Sequence, residues 1–231
     1  MANSKQTQAA PTMEQTLNKQ EAFFIKYKKA IIIGVAAVLL VIVGAISYNN
    51  FYAAPREDKA STALAKAQDL FASQQYDKAL NGDKTIEGFL QVAKNYSGTD
   101  AANLANLYAG ICYANLGKWQ EAVNCLDDFS TQSDAMISPN SQAALGNAYA
   151  HVNQIDKAVS ALKKAADMAN SASEEGVNNS IAPSCLVQAA RLLESQNKND
   201  EALKIYKDIK EKYVNSPVSQ DIDKYIERLS K

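Results

Sequence analysis

The sequence predicts an all-α protein: one N-terminal transmembrane helix, then an α-solenoid of about three to four antiparallel helix pairs, closed by a C-terminal capping helix. Three observations predict it. A run of eighteen residues, Ala30 to Ser47, carries no charge. Downstream, small residues recur with alanines at 122, 158 and 202, spaced by 36 and 44 residues. Across 231 residues there are only nine glycines and five prolines, too few for the turns of an all-β chain.

The N-terminal segment, residues 1–29, is read as a cytoplasmic and mostly disordered tail. Small and polar residues dominate "MANSKQTQAAPTMEQT", and no apolar period appears there. Asn18 followed by Glu21 has capping-box spacing, which starts the spanning helix at Lys19, ahead of the bilayer. The formal net charge of −1 hides an asymmetry, since residues 1–29 carry +3 and the rest −4. A mildly acidic body is a poor nucleic-acid binder, so no nucleic-acid partner is expected.

Residues 30–49 are assigned to the transmembrane helix. With Tyr48 to Tyr52 continuing it, the run reaches the roughly 20 residues that cross a bilayer core of ~30 Å. Phe23, Phe24 and Tyr27 before it and Tyr48, Phe51 and Tyr52 after it form aromatic belts at the two interfaces. Lys26, Lys28 and Lys29 crowd its start, whereas Arg56, Lys59 and Lys66 are spread beyond its end, so the tail stays cytoplasmic and residues 53–231 are exported. A cleaved signal peptide fits less well, because the apolar run exceeds the usual h-region and its leader is long. A buried soluble helix fits poorly too, for this helix has no polar face.

From Pro55 onward the chain reads as helix after helix. In one copy Gly110 and Tyr113 precede Gly117, Trp119 and Ala122; in the next Gly146 and Tyr149 precede Asn153, Ile155 and Ala158; in the third Ala190 and Leu193 precede Asn197, Asn199 and Ala202. Small residues at the crossing let two antiparallel helices approach, and Gly or Asn just past a helix end can take the left-handed conformation. Trp119 is read as a buried anchor beside that turn. This pattern resembles the tetratricopeptide repeat, a helix-turn-helix unit of ~34 residues. "SQQYDKAL" places Tyr76 and Ala79 as a more divergent upstream copy, after a helix from about Arg56 to Ala72. Two insertions, Asn81–Thr85 and Asn170–Ser180, read as exposed loops. After Pro217, Ser219 is the expected N-cap of a closing helix whose Ile222, Tyr225, Ile226 and Leu229 share one stripe.

Tail, single spanning helix and divergent repeats together resemble the YfgM-like family, ancillary subunits of the SecYEG translocon in the bacterial inner membrane. The residues that carry this resemblance are "KYKKAIIIG", "AAPREDKASTAL" and "FLQVAKNYSGTDAANLANLYAGICYANLGKWQEA". The resemblance implies a periplasmic repeat domain near the translocon, binding envelope proteins or translocating clients in a chaperone-like way. An oligomerisation or envelope-assembly module without client binding, including a homo-oligomer, is the competing class.

Chemistry has little to build on. There is one histidine, His151, and no HExxH, GxSxG, phosphate loop or paired-Cys motif, so neither an enzyme nor a cofactor is expected. Cys112, Cys125 and Cys185 lack metal-site spacing and are read as small buried hydrophobes. In an oxidising periplasm a Cys112–Cys125 disulfide stays open as an alternative. The binding candidate is the inner surface formed by the first helix of each pair. Counting from the crossing residue puts Leu107, Ile111 and Asn115, then Ala143, Asn147 and His151, then Val187, Arg191 and Ser195 on that surface. Leu107 and Ile111 would take an apolar peptide side chain, while Asn147 and Arg191 would bond its backbone or carboxylate.

Overall fold

The computed structural model describes the backbone of residues 13–230 and the side chains of residues 21–230. The chain separates into two units, Met1–Pro55 and Arg56–Lys231. Every element is helical apart from one isolated bridge between Gly82 and Glu87 among the described residues.

Helix α1 spans Met13–Tyr48 and is followed by a wide π-helical turn, Asn49–Ala53. The helix therefore starts six residues before Lys19, and the Asn18–Glu21 spacing lies inside it instead of at its end. Met13–Thr16, expected in the disordered tail, is helical too; the rest of that expectation falls on residues 1–12, outside those described. This stretch is long and apolar enough to cross a bilayer. Its large side chains are exposed, as with Leu40 at 74% and Val41 at 72%.

The second unit is a succession of helix pairs. Helices α2 (Ala54–Ala72) and α3 (Tyr76–Asn81) form the first, and α4 (Phe89–Asn95) resumes the second arm after the loop that interrupts it. Three full pairs follow: α5 (Asp100–Asn115) with α6 (Trp119–Asp127), α7 (Ile137–His151) with α8 (Ile155–Ser171), and α9 (Ile181–Ser195) with α10 (Asn199–Lys212). A 3₁₀ turn, Pro217–Gln220, leads to α11 (Ile222–Leu229).

Each pair turns through the same elbow. Gly117, Asn153 and Asn197 have φ of 72°, 59° and 60°, and Gln74 at 57° occupies the matching place in the upstream pair. The N–H of the next residue donates to the carbonyl five positions back: Gln75 to Leu70, Lys118 to Tyr113 and Gln154 to Tyr149 at 2.9 Å, and Lys198 to Leu193 at 3.0 Å. That bond satisfies a carbonyl which the helix end would leave unpaired. Just inside the elbow the arms cross at Gly110 and Gly146, where a Cβ would lie 2.5 Å from Leu126 Cγ and 2.8 Å from Leu162 Cγ respectively. Ala190 fills the equivalent site at the third crossing, fully buried with Ala202.

Apolar side chains gather in three layers. Phe89, Val92, Leu80 and Cys112 fill the layer nearest α2. Leu107, Val123, Leu126 and Leu145 form the middle layer, and Leu162, Tyr206, Ile209 and Tyr213 form the layer closed by α11. In that closing helix Ile222 is buried, while Tyr225, Ile226 and Leu229 pack against the same layer, as their stripe predicts. Its start differs from the expectation: Ser216, not Ser219, caps the 3₁₀ turn by accepting from Val218 N at 3.2 Å, and the Ser219 hydroxyl donates to the Tyr213 carbonyl.

Both insertions are tied down. In the first, the Asp83 carboxylate accepts from Thr85 N (2.7 Å), Thr85 Oγ1 (2.8 Å) and Ile86 N (3.0 Å), which holds its pKa below the ordinary 3.8. In the second, the buried Asn170 donates to Tyr213 Oη at 2.8 Å and accepts from Asn178 N at 2.9 Å. A loop expected to lie free on the surface therefore clips the end of α8 to the end of α10.

Candidate functional site: a cleft between first helices

Helix α7 begins where a carboxylate collects its free N–H groups. Asp134 accepts from Met136 N (2.9 Å), Ile137 N (2.5 Å), Ser138 N (3.1 Å) and Ser138 Oγ (2.5 Å). Burial pushes the Asp134 carboxyl up, but the bonds from Ser138, Met136 and Ile137 outweigh it and hold the pKa below 3.8. Helix α9 is capped likewise by Asn178, whose Oδ1 accepts from Ser180 N at 3.0 Å and Ile181 N at 2.7 Å.

With both helix starts fixed, Met136, Asn140, Ala143 and Asn147 recur on one face of α7, and Ile181, Ser184, Cys185 and Gln188 on one face of α9. They enclose a cleft of about 710 Å³. Ala143, Ala144 and Cys185 are small, and that leaves the room. Among the described residues, no Asp, Glu, Lys or Arg lines this cleft. Three other clefts each carry charge: Asp127 and Lys164 in one, Asp58, Lys59, Lys66 and Glu87 in another, Asp100 and Asp128 in the last. Asn140 Nδ2 donates to the Met136 carbonyl at 2.8 Å. The side-chain amides of Asn147 and Gln188 have no hydrogen-bond partner among the described residues.

The structure treats the sequence-predicted residues unevenly. Ala143 and Asn147 line the cleft. Leu107 and Val187, expected to face a ligand, are buried at 8% and 7% exposure within apolar layers, because the neighbouring pair packs over the inward side of each first helix. A charge at Leu107 would test the core and not a groove. Ile111 is half-buried against the middle layer, and the exposed Asn115 donates to the Ile111 carbonyl at 2.8 Å. Arg191 is exposed but engaged, with Nη2 donating to Tyr225 Oη at 2.5 Å. Ser195 Oγ donates to the Leu192 carbonyl at 2.6 Å. His151 stacks on Trp119 with ring centroids 3.6 Å apart, and Trp119 itself is half-buried, not the buried anchor expected. Asn140, Ser184 and Gln188 were missed, although Asn140 lies two turns before Asn147 and repeating the count toward the helix start reaches it.

All three cysteines are free: Cys112 and Cys185 are buried, and Cys125 is half-buried. Burial pushes their thiols up to about 12, 11 and 11 for Cys112, Cys125 and Cys185, so little reactive thiolate forms.

Comparison with known proteins finds a tetratricopeptide repeat-like domain matching residues 21–178 and a tetratricopeptide repeat matching residues 184–216. No curated protein matches. Among solved structures, the chain is similar to nearly identical TPR-like repeats of Podosopora anserina, described as kinesin light chain, with TM-score 0.57 and 15% identity over 75% of this chain and 86% of that one. A single-substitution variant of the same repeats matches with TM-score 0.56 and 16% identity over 75% and 85%. At such identities the likeness speaks to the fold alone.

Proposed function

The chain belongs to the tetratricopeptide repeat-like family, and from that membership we propose that it is a membrane-anchored scaffold whose repeat domain holds other proteins near a bacterial inner membrane. The fold is typically an interaction scaffold and not a catalyst. The observation that carries the reading is the α7–α9 cleft, in which adjacent first helices line an uncharged opening with Asn140, Asn147 and Ser184 exposed. The apolar stretch within α1 supplies the anchor through residues 30–49. Lys26, Lys28 and Lys29 favour a cytoplasmic N-terminus and a periplasmic domain comprising residues 53–231. The YfgM-like resemblance favours the Sec translocon as the neighbourhood, with envelope proteins or translocating clients as partners and chaperone-like holding as the activity.

A photo-crosslinking residue at Asn147 of the full chain in native membranes tests this, with a matched residue at the exposed Lys207 on α10 as control. Partners attached at 147 and absent at 207 are expected. If neither position captures another protein, the scaffold reading falls; if both capture only a second copy of this chain, the oligomerisation reading replaces it.

A further inference from the structure

Another cleft, of about 440 Å³, lies where α2 faces the loop before α4, and its walls are charged. Lys59 and Lys66 line it from one face of α2, about two helical turns apart. Glu87 lines it from the loop and Tyr96 from the end of α4. Among the described residues neither lysine is in an ion pair, and the Tyr96 hydroxyl has no hydrogen-bond partner. The Glu87 carboxylate accepts no hydrogen bond either: its Oε2 is shut from solvent and unpartnered, and Oε1 is left to meet the cleft. A carboxylate with a buried, unpaired oxygen costs free energy until a cation stands beside it. We propose that this cleft binds a phosphate–ammonium zwitterion, the phosphoethanolamine group, with phosphate oxygens on Lys59, Lys66 and Tyr96 and the ammonium on Glu87.

Charge balance selects the ligand. Lys59 and Lys66 against Asp58 and Glu87 leave the lining with no net charge, so a plain anion is drawn by the lysines and repelled by the carboxylates. A ligand carrying both signs meets both. Its anionic end is a phosphate by the count of donors: Lys59, Lys66 and Tyr96 converge, and a phosphate offers more acceptor oxygens than the pair on a carboxylate. Thr62 and Thr85 add no donor, because Thr62 Oγ1 already donates to the Asp58 carbonyl at 2.9 Å and Thr85 Oγ1 to the Asp83 carboxylate at 2.8 Å. Lysine suits the task as a point charge on a flexible stem. The cationic end carries N–H donors, one of which Glu87 Oε1 accepts; a quaternary ammonium has none to give. Ala63, between the two lysines on α2, is small and leaves the room. Phosphoethanolamine exists both as a free compound and as a phospholipid headgroup, and the two share this chemistry.

The test uses the full chain in uncharged maltoside micelles, titrated by calorimetry with O-phosphoethanolamine, inorganic phosphate and ethanolamine. O-phosphoethanolamine is expected to bind at least about tenfold more tightly than either of the others, the worth of one charge-assisted hydrogen bond. Glu87→Gln removes that preference, Lys66→Gln weakens O-phosphoethanolamine about tenfold, and Lys207→Gln on α10 changes nothing. Nanodiscs separate the two sources: phosphatidylethanolamine in a phosphatidylcholine bilayer slows acylation of Lys59 and Lys66, but not of Lys207, by at least about threefold, as majority occupancy requires. Protection by the lipid without calorimetric binding assigns the headgroup, and binding without protection assigns the free compound; either supports the site. Measurable but equal binding of phosphate and O-phosphoethanolamine, a preference or a lipid effect that survives Glu87→Gln, or neither binding nor protection would overturn the proposal. Both lysines are exposed, so Lys66→Gln decides the matter should Glu87→Gln lose helix content: unchanged affinity, and unchanged protection at Lys59, would overturn it too. None of these outcomes touches the scaffold reading, which rests on the α7–α9 cleft.

Discussion

The imidazole of His151 lies flat on the indole of Trp119, their planes inclined by 2°. His151 closes α7 and Trp119 opens α6, so the stack joins the end of one pair's first helix to the second helix of the pair before it.

This contact explains a lone histidine without chemistry, and it can be read optically because Trp119 is the only tryptophan. His151→Ala uncovers an indole face, so emission shifts to the red, and stability falls by about 1 kcal/mol, the scale of an aromatic pair. Trp119→Ala costs roughly 2 kcal/mol, about half of a fully buried large-to-small change, because the ring is half-exposed. Unchanged emission in His151→Ala would show that the stack does not form in solution.

Two glycines sit in tight quarters of different kinds. At Gly110 an added Cβ meets the buried Leu126 side chain at Cγ and Cδ2, with the Leu126 backbone N farther off at 3.2 Å, so Gly110→Ala loses about 1 to 3 kcal/mol. At Gly88 the Cβ runs into the backbone of Gly82, Asn81 and Leu80, which cannot yield without opening the loop. Gly88→Ala is expected to melt at the lower temperature of the two; the reverse order would contradict the packing of the α3–α4 loop.

Gly117 has positive φ with open space around it, so only its backbone conformation constrains it. Gly117→Asn is expected to be nearly neutral, since Asn153 and Asn197 hold the same angle, while Gly117→Val costs about 1 to 2 kcal/mol. Denaturant midpoints of the two variants decide it.

Asp134 ties the start of α7 to pH. Its folded pKa is depressed, so the stability it contributes is fully present above the unfolded value and is lost as pH falls below 3.8. Asp134→Ala should cost about 1 kcal/mol at pH 7, as N-caps do, and little at about pH 2. An equal loss at both pH values would show that the carboxylate's charge does not matter to the cap.

The helix pairs were legible because close crossings and left-handed elbows admit few residue types: Gly110, Gly146 and Ala190 at the one, Gly117, Asn153 and Asn197 at the other. Gln74 escaped notice because glutamine carries no turn signal; the packing of Phe71, Tyr76 and Phe89 around that elbow holds it there instead. Leu107 and Val187 were misplaced because a period of 3.6 says which residues share a face, but not how far the next pair covers it. Asp134 was missed since it caps α7 across two intervening residues, and the Trp119–His151 stack because the two lie 32 positions apart in different pairs.

The elbows keep one geometry while the chain outside them varies in length, through the Asp83 loop inside the second arm of the first pair and the Asn178 loop that returns from one pair to the next. A carpenter's folding rule behaves the same way: fixed hinges, leaves of any length. New sequence can enter this protein in the returning links without altering the angle within any pair, so the freedom to acquire a different partner lies beside the cleft, at Asn178 and Ser180, where one such link already forms its rim.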